Sequence, residues 1–528
     1  LIFIGVNEGA DVTQHFKFAE TYRELSSLGN LYPSWGANEN FGYGSVGIRF
    51  YPPLFSVILA FFVSLTGSWH AALSMLFLTF SFIGGFGAYR FAKEFVSSRV
   101  AVLAGSIFML MPYHLAQIHN NGIYAEFAGV SILPFSFLYV TRICRKGRYS
   151  DVLALAISFS LLILIHLPST VLGSISLLIF TLFSLPKEKF WPTCFKIAGA
   201  VAAALLATSV YWLRMVTELE WFRGAKFAEH PEIFDFSYNF LLVPPMLAGL
   251  SFLNLVFIAT GFMVICGLIG RSSTTVEDPN KRGWRAVIVV LCVSAFMMTP
   301  LSYPVWKYLP FIKETQFPWR WMTIFSIMGS LVIASGITAF ASKAKNTPLT
   351  KNVNLLLAVI TVALVVGTYA KLADKYSRNI IPSASFNAWV DEREDSLGLD
   401  FFWTPHTKRE AFRVKEKVVA GGRNAKIISW TPNERIFKVD AGDPTDARVA
   451  TLYYPHWKAL INDAPAKIKS GEDGAILVPL SAEASTIRVY FDEPWFLKAA
   501  YYVSFLLWIG FIAVAIFVLI IKTRTTSE

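Results

Sequence analysis

The sequence has 528 residues, of which 54% are hydrophobic and 16% are charged, and its mean hydropathy is +0.49. A soluble protein could not bury this much apolar surface, so the composition excludes a soluble domain and predicts a polytopic α-helical membrane protein. The net charge of +11 is typical of Lys and Arg retained in cytoplasmic loops, and we expect no nucleic-acid partner.

The chain begins with the apolar residues LIFIGV, which we interpret as the end of a membrane helix whose start lies upstream. Further apolar segments are long enough to cross about 30 Å of hydrocarbon, so the sequence predicts about 12 transmembrane helices. The segments after the first are Trp69–Ala92, Val100–Ile118, Ile123–Arg142, Val152–His166, Ser169–Ser184, Phe195–Thr217, Met246–Gly270, Ala286–Ser302, Trp319–Ala341, Asn354–Leu372 and Phe496–Ile521.

The segment Tyr51–Gly67 is also apolar, but it is short for a crossing and begins close to two prolines. If it does not cross, Lys and Arg collect in alternate loops, and the positive-inside rule places all of those loops in the cytoplasm. We therefore predict juxtamembrane helices in a first outer loop, residues 8–68, and both chain termini in the cytoplasm. The expected location is the plasma (inner) membrane.

The same topology places residues 373–495 outside the cytoplasm, between a membrane module (1–372) and a last helix with a cytoplasmic tail (496–528). Short runs such as ARVATLYYP and TIRVYF alternate there with Gly, Asp, Asn and Pro. The sequence therefore predicts a small extracytoplasmic β-rich domain. Trp430, Tyr453, Tyr454 and Trp457 in it are candidates for stacking on sugars, although core packing is the more common use of such residues.

Asp11 and His15 lie four residues apart, just after the N-terminal apolar piece. Asp11 is either the N-cap of a juxtamembrane helix or a catalytic base, and its position alone favours the cap. His15 shares a helix face with Asp11 and is suited to orienting a base or to forming half of a metal site. We name both as catalytic candidates and leave a divalent metal open at this pair, with no other cofactor.

Further polar residues interrupt the apolar segments at the same predicted face. Tyr124 and Glu126 lie in HNNGIYAEF, and His166 lies in IHLPST. A carboxylate inside the membrane is costly and usually faces a cavity or a partner. Glu126 is therefore either half of an ion pair or a ligand of the substrate, and His166 is either an interfacial helix end or a functional group.

Arginines in two aromatic stretches are candidates for binding phosphate. Arg320 lies between Trp319 and Trp321 at the start of a predicted helix, and Arg49 lies in GIRFYPPL. Each side chain either reaches towards the lipid headgroups or binds a lipid phosphate within its aromatic surroundings. We name Arg49, Tyr124, Glu126, His166, Trp319 and Arg320 as candidate substrate-binding residues.

Several of these stretches together resemble a known family. Following the early Asp and His, they are GNLYPSWGANENFGYGS, FYPPL, YAEFAGVSILP, HLPS, LPFIKETQFPWRW and YYPHWKALIND. They are similar to the bacterial and archaeal membrane proteins known as 6-pyruvoyl-tetrahydropterin-synthase-related, a name that implies no pterin chemistry here. More broadly, they resemble GT-C superfamily integral-membrane glycosyltransferases. The chain departs from the family at Asn120, Asn121 and Gly122, where relatives often carry an Arg.

The GT-C resemblance implies an inverting enzyme that moves a sugar from a polyprenyl-phosphate donor to an acceptor on the outer side of the membrane. The acceptor would be a glycan, a lipid or a protein, and membrane lipids are further partners. In this resemblance Asp11 corresponds to the acidic residue of the first outer loop. A phosphate leaving group needs cations, so Arg320 is the first choice to hold it, with His166 and Arg49 as helpers, and Glu126 would bind the sugar or pair with one of these cations.

Two other classes of function compete with this one. The first is a lipid-linked glycan flippase or transporter, for which paired repeats and broken helices near the bilayer midplane are typical, and neither is visible in the sequence. The second is a non-catalytic GT-C-like assembly subunit, which would have no cavity joining Asp11 to Arg320. The sequence carries no Walker loop, so direct use of ATP is not expected.

Overall fold

A computed structural model describes residues 5–9, 11–30, 32–119, 122–223, 234–243, 248–272, 280–343, 348–378, 380–394 and 397–525. Within these ranges, nine helices are long and apolar enough to cross a membrane, or ten if the bent pair Lys281–Met297 and Pro300–Tyr308 is one span. The protein is therefore a polytopic helical membrane protein.

The helices follow one another along the chain with short connections. In order they are α1 (Val12–Ser27), α2 (Gly47–Phe50), α3 (Leu54–Thr66), α4 (Trp69–Ala92), α5 (Ser98–Met109), α6 (Pro112–His119), α7 (Tyr124–Lys146), α8 (Tyr149–Ile165), α9 (Leu167–Ser184), α10 (Phe190–Ala207), α11 (Ser209–Thr217), α12 (Ala248–Ser272), α13 (Lys281–Met297), α14 (Tyr303–Tyr308), α15 (Met322–Lys343), α16 (Pro348–Arg378), α17 (Phe386–Glu394) and α18 (Trp495–Thr525).

The predicted crossing segments match these helices closely, with three breaks. Val100–Ile118 divides into α5 and α6. Phe195–Thr217 divides into α10 and α11. The segment Ala286–Ser302 departs from the prediction because α13 ends at Met297 and the chain then turns by 93°. Pro300 explains the break after Met297, since a residue that precedes a proline, here Thr299, is disfavoured in a helical conformation.

The segment Tyr51–Gly67 contains α3, a helix of 13 residues. At about 1.5 Å per residue, α3 is roughly 20 Å long and falls short of the hydrocarbon thickness. Gly67 ends α3 in a left-handed conformation (φ +66°), which is common at helix C-termini. The segment is therefore a short helix, too short to cross by itself.

The interpretation of LIFIGV as a helix end is wrong for Gly5 and Val6. Gly5–Asn7 form a strand, β1, that pairs antiparallel with β2 (Ile380–Pro382), directly after α16. A Cβ on Gly5 would lie 2.0 Å from the carbonyl oxygen of Ile381, and Gly5 adopts a φ of +143°. This close approach requires glycine and extended pairing, and residues 1–4 lie outside the described ranges.

The predicted β-rich region contains a two-sheet domain. Its strands are β3 (Val418–Val419), β4 (Ala425–Thr431), β5 (Glu434–Val439), β6 (Thr445–Leu452), β7 (Trp457–Ile461), β8 (Ala464–Ala466), β9 (Lys469–Ser470), β10 (Ala475–Leu480) and β11 (Ser485–Phe491). The orders are β3-β6-β10-β9 in one sheet and β4-β5-β11-β7-β8 in the other. Alternate residues such as Val449, Ile476, Phe437 and Ile487 are buried in one shared core.

The aromatic part of the first loop belongs to this same core. Trp35 is fully buried, and its ring contacts the rings of Tyr454, Trp457 and Phe491. Gly44 (φ +89°) lets the loop close over Trp35, because a Cβ there would lie 2.1 Å from the indole nitrogen. The stretch between β1 and α3 therefore fastens the β-domain (residues 418–491) to the membrane helices.

Candidate active site

Three candidate residues from distant parts of the chain lie close together. Asp11 lies at the start of α1, Glu126 in the first turn of α7, and Arg320 in a short turn of 3-10 helix before α15. Nε of Arg320 donates to Oε2 of Glu126 at 2.9 Å, and both side chains interact electrostatically with Asp11. We call these three side chains the polar cluster.

Gly122 explains how the start of α1 reaches the start of α7. A Cβ on Gly122 (φ +65°) would lie 2.8 Å from Cα of Gly9 and 2.8 Å from a methyl group of Val12. Any larger residue would push the two segments apart, so glycine is needed where the start of α1 meets the start of α7. Asn120 and Asn121 lie outside the described residues.

Glu126 is fully engaged by its neighbours. Its Oε1 accepts from the Tyr113 hydroxyl at 2.6 Å and from Nε2 of Gln117 at 2.9 Å, while Oε2 accepts from Arg320. Only 1% of the residue is exposed. Both oxygens of this buried carboxylate are occupied by donors, so Glu126 fixes the position of the Arg320 guanidinium.

Arg320 keeps part of its hydrogen-bonding capacity. Its Nη1 donates to the carbonyl oxygen of Thr315 at 2.8 Å, but Nη2 has no acceptor within the described residues. The guanidinium lies 4.7 Å from the ring centre of Phe317, which stacks on Trp319 at 4.9 Å. A guanidinium fixed at one end and open at the other is suited to binding an anion.

Asp11 occupies the N-cap position of α1, but its side chain makes no capping hydrogen bond. In the part of the chain that the structure describes, no group donates to its carboxylate. Burial raises the pKa of Asp11, Arg320 lowers it and Glu126 raises it again. The cap interpretation lacks its bond, whereas an unpartnered carboxylate with a raised pKa is typical of a general base.

His15 lies in an aromatic cage beside this cluster. The centre of its ring is 4.9 Å from that of Phe55, 5.5 Å from that of Tyr124 and 5.8 Å from that of Tyr51. Neither ring nitrogen has a hydrogen-bond partner, and burial lowers the pKa of His15 to about 3. The His15 ring is therefore neutral, and it makes no hydrogen bond to the Asp11 carboxylate that would orient Asp11 as a base.

Asp11 and His15 do not belong to a group of three potential metal ligands among the described residues. Among the described residues, the group of three His, Cys, Asp or Glu side chains close enough to share an ion is Glu218, His456 and Glu493. That group already surrounds the guanidinium of Arg49. We derive no step through a metal.

Tyr124 and His166 complete the surroundings of the cluster. Tyr124 is fully buried with an unpartnered hydroxyl, and its ring stacks on His15. His166 caps α9, because its Nδ1 lies 3.2 Å from the backbone nitrogen of Ser169. A Cβ on Gly129, one turn after Glu126, would lie 3.1 Å from Cβ of His166, which also interacts electrostatically with Arg320.

Arg49 lies in a different cluster. It is fully buried and donates to both oxygens of Glu218 at 2.7 Å, to Oε1 and Oε2 of Glu493 at 2.7 and 3.0 Å, and to the carbonyl oxygen of Ser34 at 2.8 Å. Glu218 also accepts from Tyr454 and His456 of the β-domain side. All donors of Arg49 are used, so the structure places it as a link between the first loop and the β-domain.

Sequence reasoning missed Tyr51 as a member of the site. Burial raises the pKa of its hydroxyl, and the charges of Asp11, Arg320 and Glu126 all act on it. Tyr51 is extended (φ −97°, ψ 137°) because it precedes Pro52, and its ring contacts those of His15 and Phe18. The signal was the stretch FYPPL, whose tyrosine was read only as part of a family motif.

A family comparison covers most of the membrane helices. The model of the 6-pyruvoyl-tetrahydropterin synthase related domain, described as a membrane protein, matches residues 48–374. Comparison with curated protein sequences finds no match.

Solved structures with a similar overall path are membrane glycosyltransferases. Arabinofuranosyltransferase AftD from Mycobacteria is 14% identical with a TM-score of 0.46, over 74% of this chain and 27% of that chain. ArnT from Cupriavidus metallidurans, bound to undecaprenyl phosphate, is 14% identical with a TM-score of 0.45, over 74% and 72%. The Archaeoglobus fulgidus oligosaccharyltransferase is 13% identical with a TM-score of 0.39, over 75% and 56%. What this chain does must therefore be argued from its own residues.

Proposed function

The chain belongs to the 6-pyruvoyl-tetrahydropterin synthase related family of membrane proteins, and we propose that it is a glycosyltransferase. It moves a sugar from a polyprenyl-phosphate donor to an acceptor at the membrane face that carries the β-domain. The observation that carries this proposal is an unpartnered carboxylate, Asp11, beside a guanidinium with an open end, Arg320.

The two groups perform complementary parts of a single displacement. The acceptor hydroxyl gives its proton to Asp11 as its oxygen bonds to the anomeric carbon of the sugar. The bond from that carbon to the phosphate oxygen breaks, and the negative charge that develops on the phosphate is stabilised by Arg320. A single displacement inverts the anomeric configuration, and the polyprenyl phosphate leaves as an anion.

The surroundings of the cluster support this division of roles. Glu126 and Thr315 hold two ends of the guanidinium, so little reorganisation is needed when a phosphate arrives. The Tyr51 hydroxyl is acted on by all three charges of the cluster and is placed to donate a hydrogen bond to the sugar or its phosphate. The rings of His15 and Tyr124 stack on each other and give the surroundings of the cluster an aromatic character.

The orientation in this proposal places the β-domain outside the cytoplasm, with both termini inside, in the plasma membrane. The loops after α4 and α7 support it, because Glu94 pairs with Arg142 at 2.7 Å and with Arg145 at 2.9 Å. Two basic loops that the positive-inside rule assigns to the cytoplasm therefore lie on one face. The donor's polyprenyl chain would lie in the membrane, while a glycan, lipid or protein acceptor reaches Asp11 from the β-domain side.

The test compares Asp11→Asn with the wild type. Purified protein in nanodiscs is incubated with radiolabelled polyprenyl-phosphate sugars and a panel of acceptors, and transferred label is measured. We expect transfer to fall by about 10²–10⁴-fold, because the amide cannot take a proton. Thermal unfolding should change little, since Asp11 makes no capping bond.

Glu8→Gln is the matched control. Glu8 is an exposed carboxylate three residues before Asp11, paired with Arg393 at 3.0 Å. Its loss should leave transfer near the wild-type rate. Equal transfer by the wild type and Asp11→Asn would reject the base assignment, and no transfer from any polyprenyl-phosphate sugar would reject the proposed donor class.

A further inference from the structure

A groove lies between the first loop and the β-domain. Its volume is about 420 Å³, which falls within the usual range of ligand sites. The first loop contributes Phe41 and Tyr43, the segment before β3 contributes Phe412, Lys415 and Lys417, and β4 contributes Trp430. We call it the aromatic groove.

Phe41 is the most unusual residue of the aromatic groove. Its φ of +59° lies in the left-handed region, directly after Asn40 at +56°, and 57% of the residue is exposed. A bulky residue in this conformation is strained, and an exposed phenyl ring recovers little by packing. Such strain is common at ligand-binding positions, where the backbone is held so that a side chain faces the ligand.

Hydrogen bonds of the Asn40 side chain hold the strained backbone at Asn40 and Phe41 in place. Asn40 is almost fully buried, and its Nδ2 donates to the carbonyl oxygen of Gly44 at 3.0 Å. Its Oδ1 accepts from the backbone nitrogen of Gly398 at 3.0 Å and from Nε1 of Trp403 at 3.2 Å. The backbone at Phe41 is therefore held by the hydrogen bonds of its neighbour Asn40.

The floor of the aromatic groove is rigid as well. The rings of Tyr43 and Phe412 meet edge to face at 5.4 Å, and the Tyr43 hydroxyl donates to the carbonyl oxygen of Val414 at 2.7 Å. Trp430 is half-buried at the edge. Several fixed aromatic faces with few polar groups suit a ligand that has both apolar faces and a polar rim, as sugar rings do.

Lysines give the aromatic groove its charge. Lys415 and Lys417 are exposed and line it, and Nζ of Lys417 lies 5.3 Å from the ring centre of Trp430. Glu416 lies between them in the chain but does not line the aromatic groove. No carboxylate lines the aromatic groove among the described residues, so its rim favours an anion.

We propose that the aromatic groove binds an acidic oligosaccharide, one that carries carboxylate groups on its sugar rings. Fixed aromatic faces would stack on the sugars while Lys415 and Lys417 pair with their carboxylates. The binding itself is independent of the proposed transfer reaction. Only the further statement, that this oligosaccharide is the distal part of the acceptor, rests on the proposed function.

Ring contacts lead from the aromatic groove to Tyr51, on which the charges of the polar cluster act, and they support that further statement. Phe412 meets Trp403 edge to face at 5.0 Å, and Phe402, the next residue back, lies 6.3 Å from the ring of Tyr51. Residues 402–412 therefore run from the candidate site to the aromatic groove.

The experiment measures binding to the full chain in nanodiscs. The probes are tetrasaccharides of galacturonate, of mannuronate and of hyaluronan, and the neutral control is maltotetraose. We expect at least one acidic tetramer to bind more than 10-fold tighter than the neutral one, and higher salt to weaken it. The double variant Lys415→Gln, Lys417→Gln should weaken this binding at least 10-fold, whereas Glu416→Gln should leave it unchanged or tighten it.

Phe41→Gly separates a binding role from a structural one. Glycine accepts the left-handed conformation without strain, so this variant should fold as well as the wild type or better and still bind at least 10-fold more weakly. Asp11→Asn should bind like the wild type, even if the transfer reaction proves to be a different one. Binding of no acidic tetramer, equal binding of the neutral one, or full binding by Phe41→Gly would overturn the proposal.

Discussion

Two buried arginines in this protein have similar surroundings, but they differ in how many of their hydrogen-bond donors have an acceptor. Arg49 uses its donors on Glu218, Glu493 and a backbone carbonyl, so nothing is left for a ligand. Arg320 pairs with Glu126 and a backbone carbonyl but leaves Nη2 without an acceptor in the described part of the chain. Each arginine also lies against aromatic rings.

This difference shows that burial and charge alone do not identify an arginine that binds a ligand. A saturated guanidinium holds elements together, because any new partner would have to displace an existing one. An unsaturated guanidinium beside an unpartnered carboxylate keeps hydrogen-bonding capacity that a ligand can use. We therefore expect mutations in the Arg49 cluster to affect stability and mutations in the polar cluster to affect activity.

The largest effect is expected for Arg49→Gln. It leaves Glu218 and Glu493 buried beside each other with fewer partners, and breaking a buried pair typically costs about 3–5 kcal/mol. The melting temperature in nanodiscs should fall by several degrees, and the yield of folded protein should drop. Arg393→Gln, at a partly exposed ion pair, should melt near the wild type, and a stable Arg49→Gln would contradict the structural role.

Arg320→Gln should mainly affect the reaction. Transfer is expected to fall by roughly 10²–10³-fold, the usual loss when one group that stabilises developing charge is removed. The variant Arg320→Gln, Glu126→Gln avoids a lone buried carboxylate, so it should fold well and still transfer poorly. Recovery of transfer in the double variant would show that Arg320 serves only to neutralise Glu126.

The pH dependence of stability gives a finer test of the structural role of the Arg49 cluster. Burial works to raise the pKa of Glu218, but hydrogen bonds from His456 and Arg49 outweigh it and lower the pKa to about 2. A depressed pKa stabilises the fold fully above about pH 4.5 and loses that contribution as pH falls towards 2, which amounts to roughly 3 kcal/mol. Thermal unfolding between pH 6 and pH 3 measures it.

Glu218→Gln provides the comparison for this pH effect. The variant should be less stable than the wild type at pH 6, and the difference should shrink as the pH falls towards 3. Glu220→Gln, an exposed carboxylate two residues later, should show no such convergence. A constant difference between wild type and Glu218→Gln at every pH would mean that Glu218 keeps an ordinary pKa.

Several features of the fold were predictable because local sequence determines them. Trp69–Ala92 was predicted with the bounds that the structure shows, since a long apolar run has few alternatives to a membrane helix. Strands such as TIRVYF alternate buried and exposed residues. The error at Gly5 and Val6 arose because six apolar residues look alike whether they end a helix or pair with a distant strand.

The candidate site was predictable only as a set of residue types. Asp11, Glu126 and Arg320 were named because polar residues in apolar segments are costly and need a reason. Tyr51 was missed because a tyrosine beside prolines in an aromatic stretch carries no such signal. The contrast between Arg49 and Arg320 was also hidden, since the two have the same side chain in similar aromatic stretches.

The sequence by itself determined that this is a many-helix membrane protein with a β-rich domain before its last helix, because hydropathy and residue alternation act over a few neighbouring positions. Only the tertiary structure decided which arginine is saturated and which carboxylate is left without a partner. The partners of Arg49 lie 169 and 444 residues away, and Arg320 meets Glu126 across 194 residues. Pairings at such separations depend on how whole helices pack, and no local pattern encodes them.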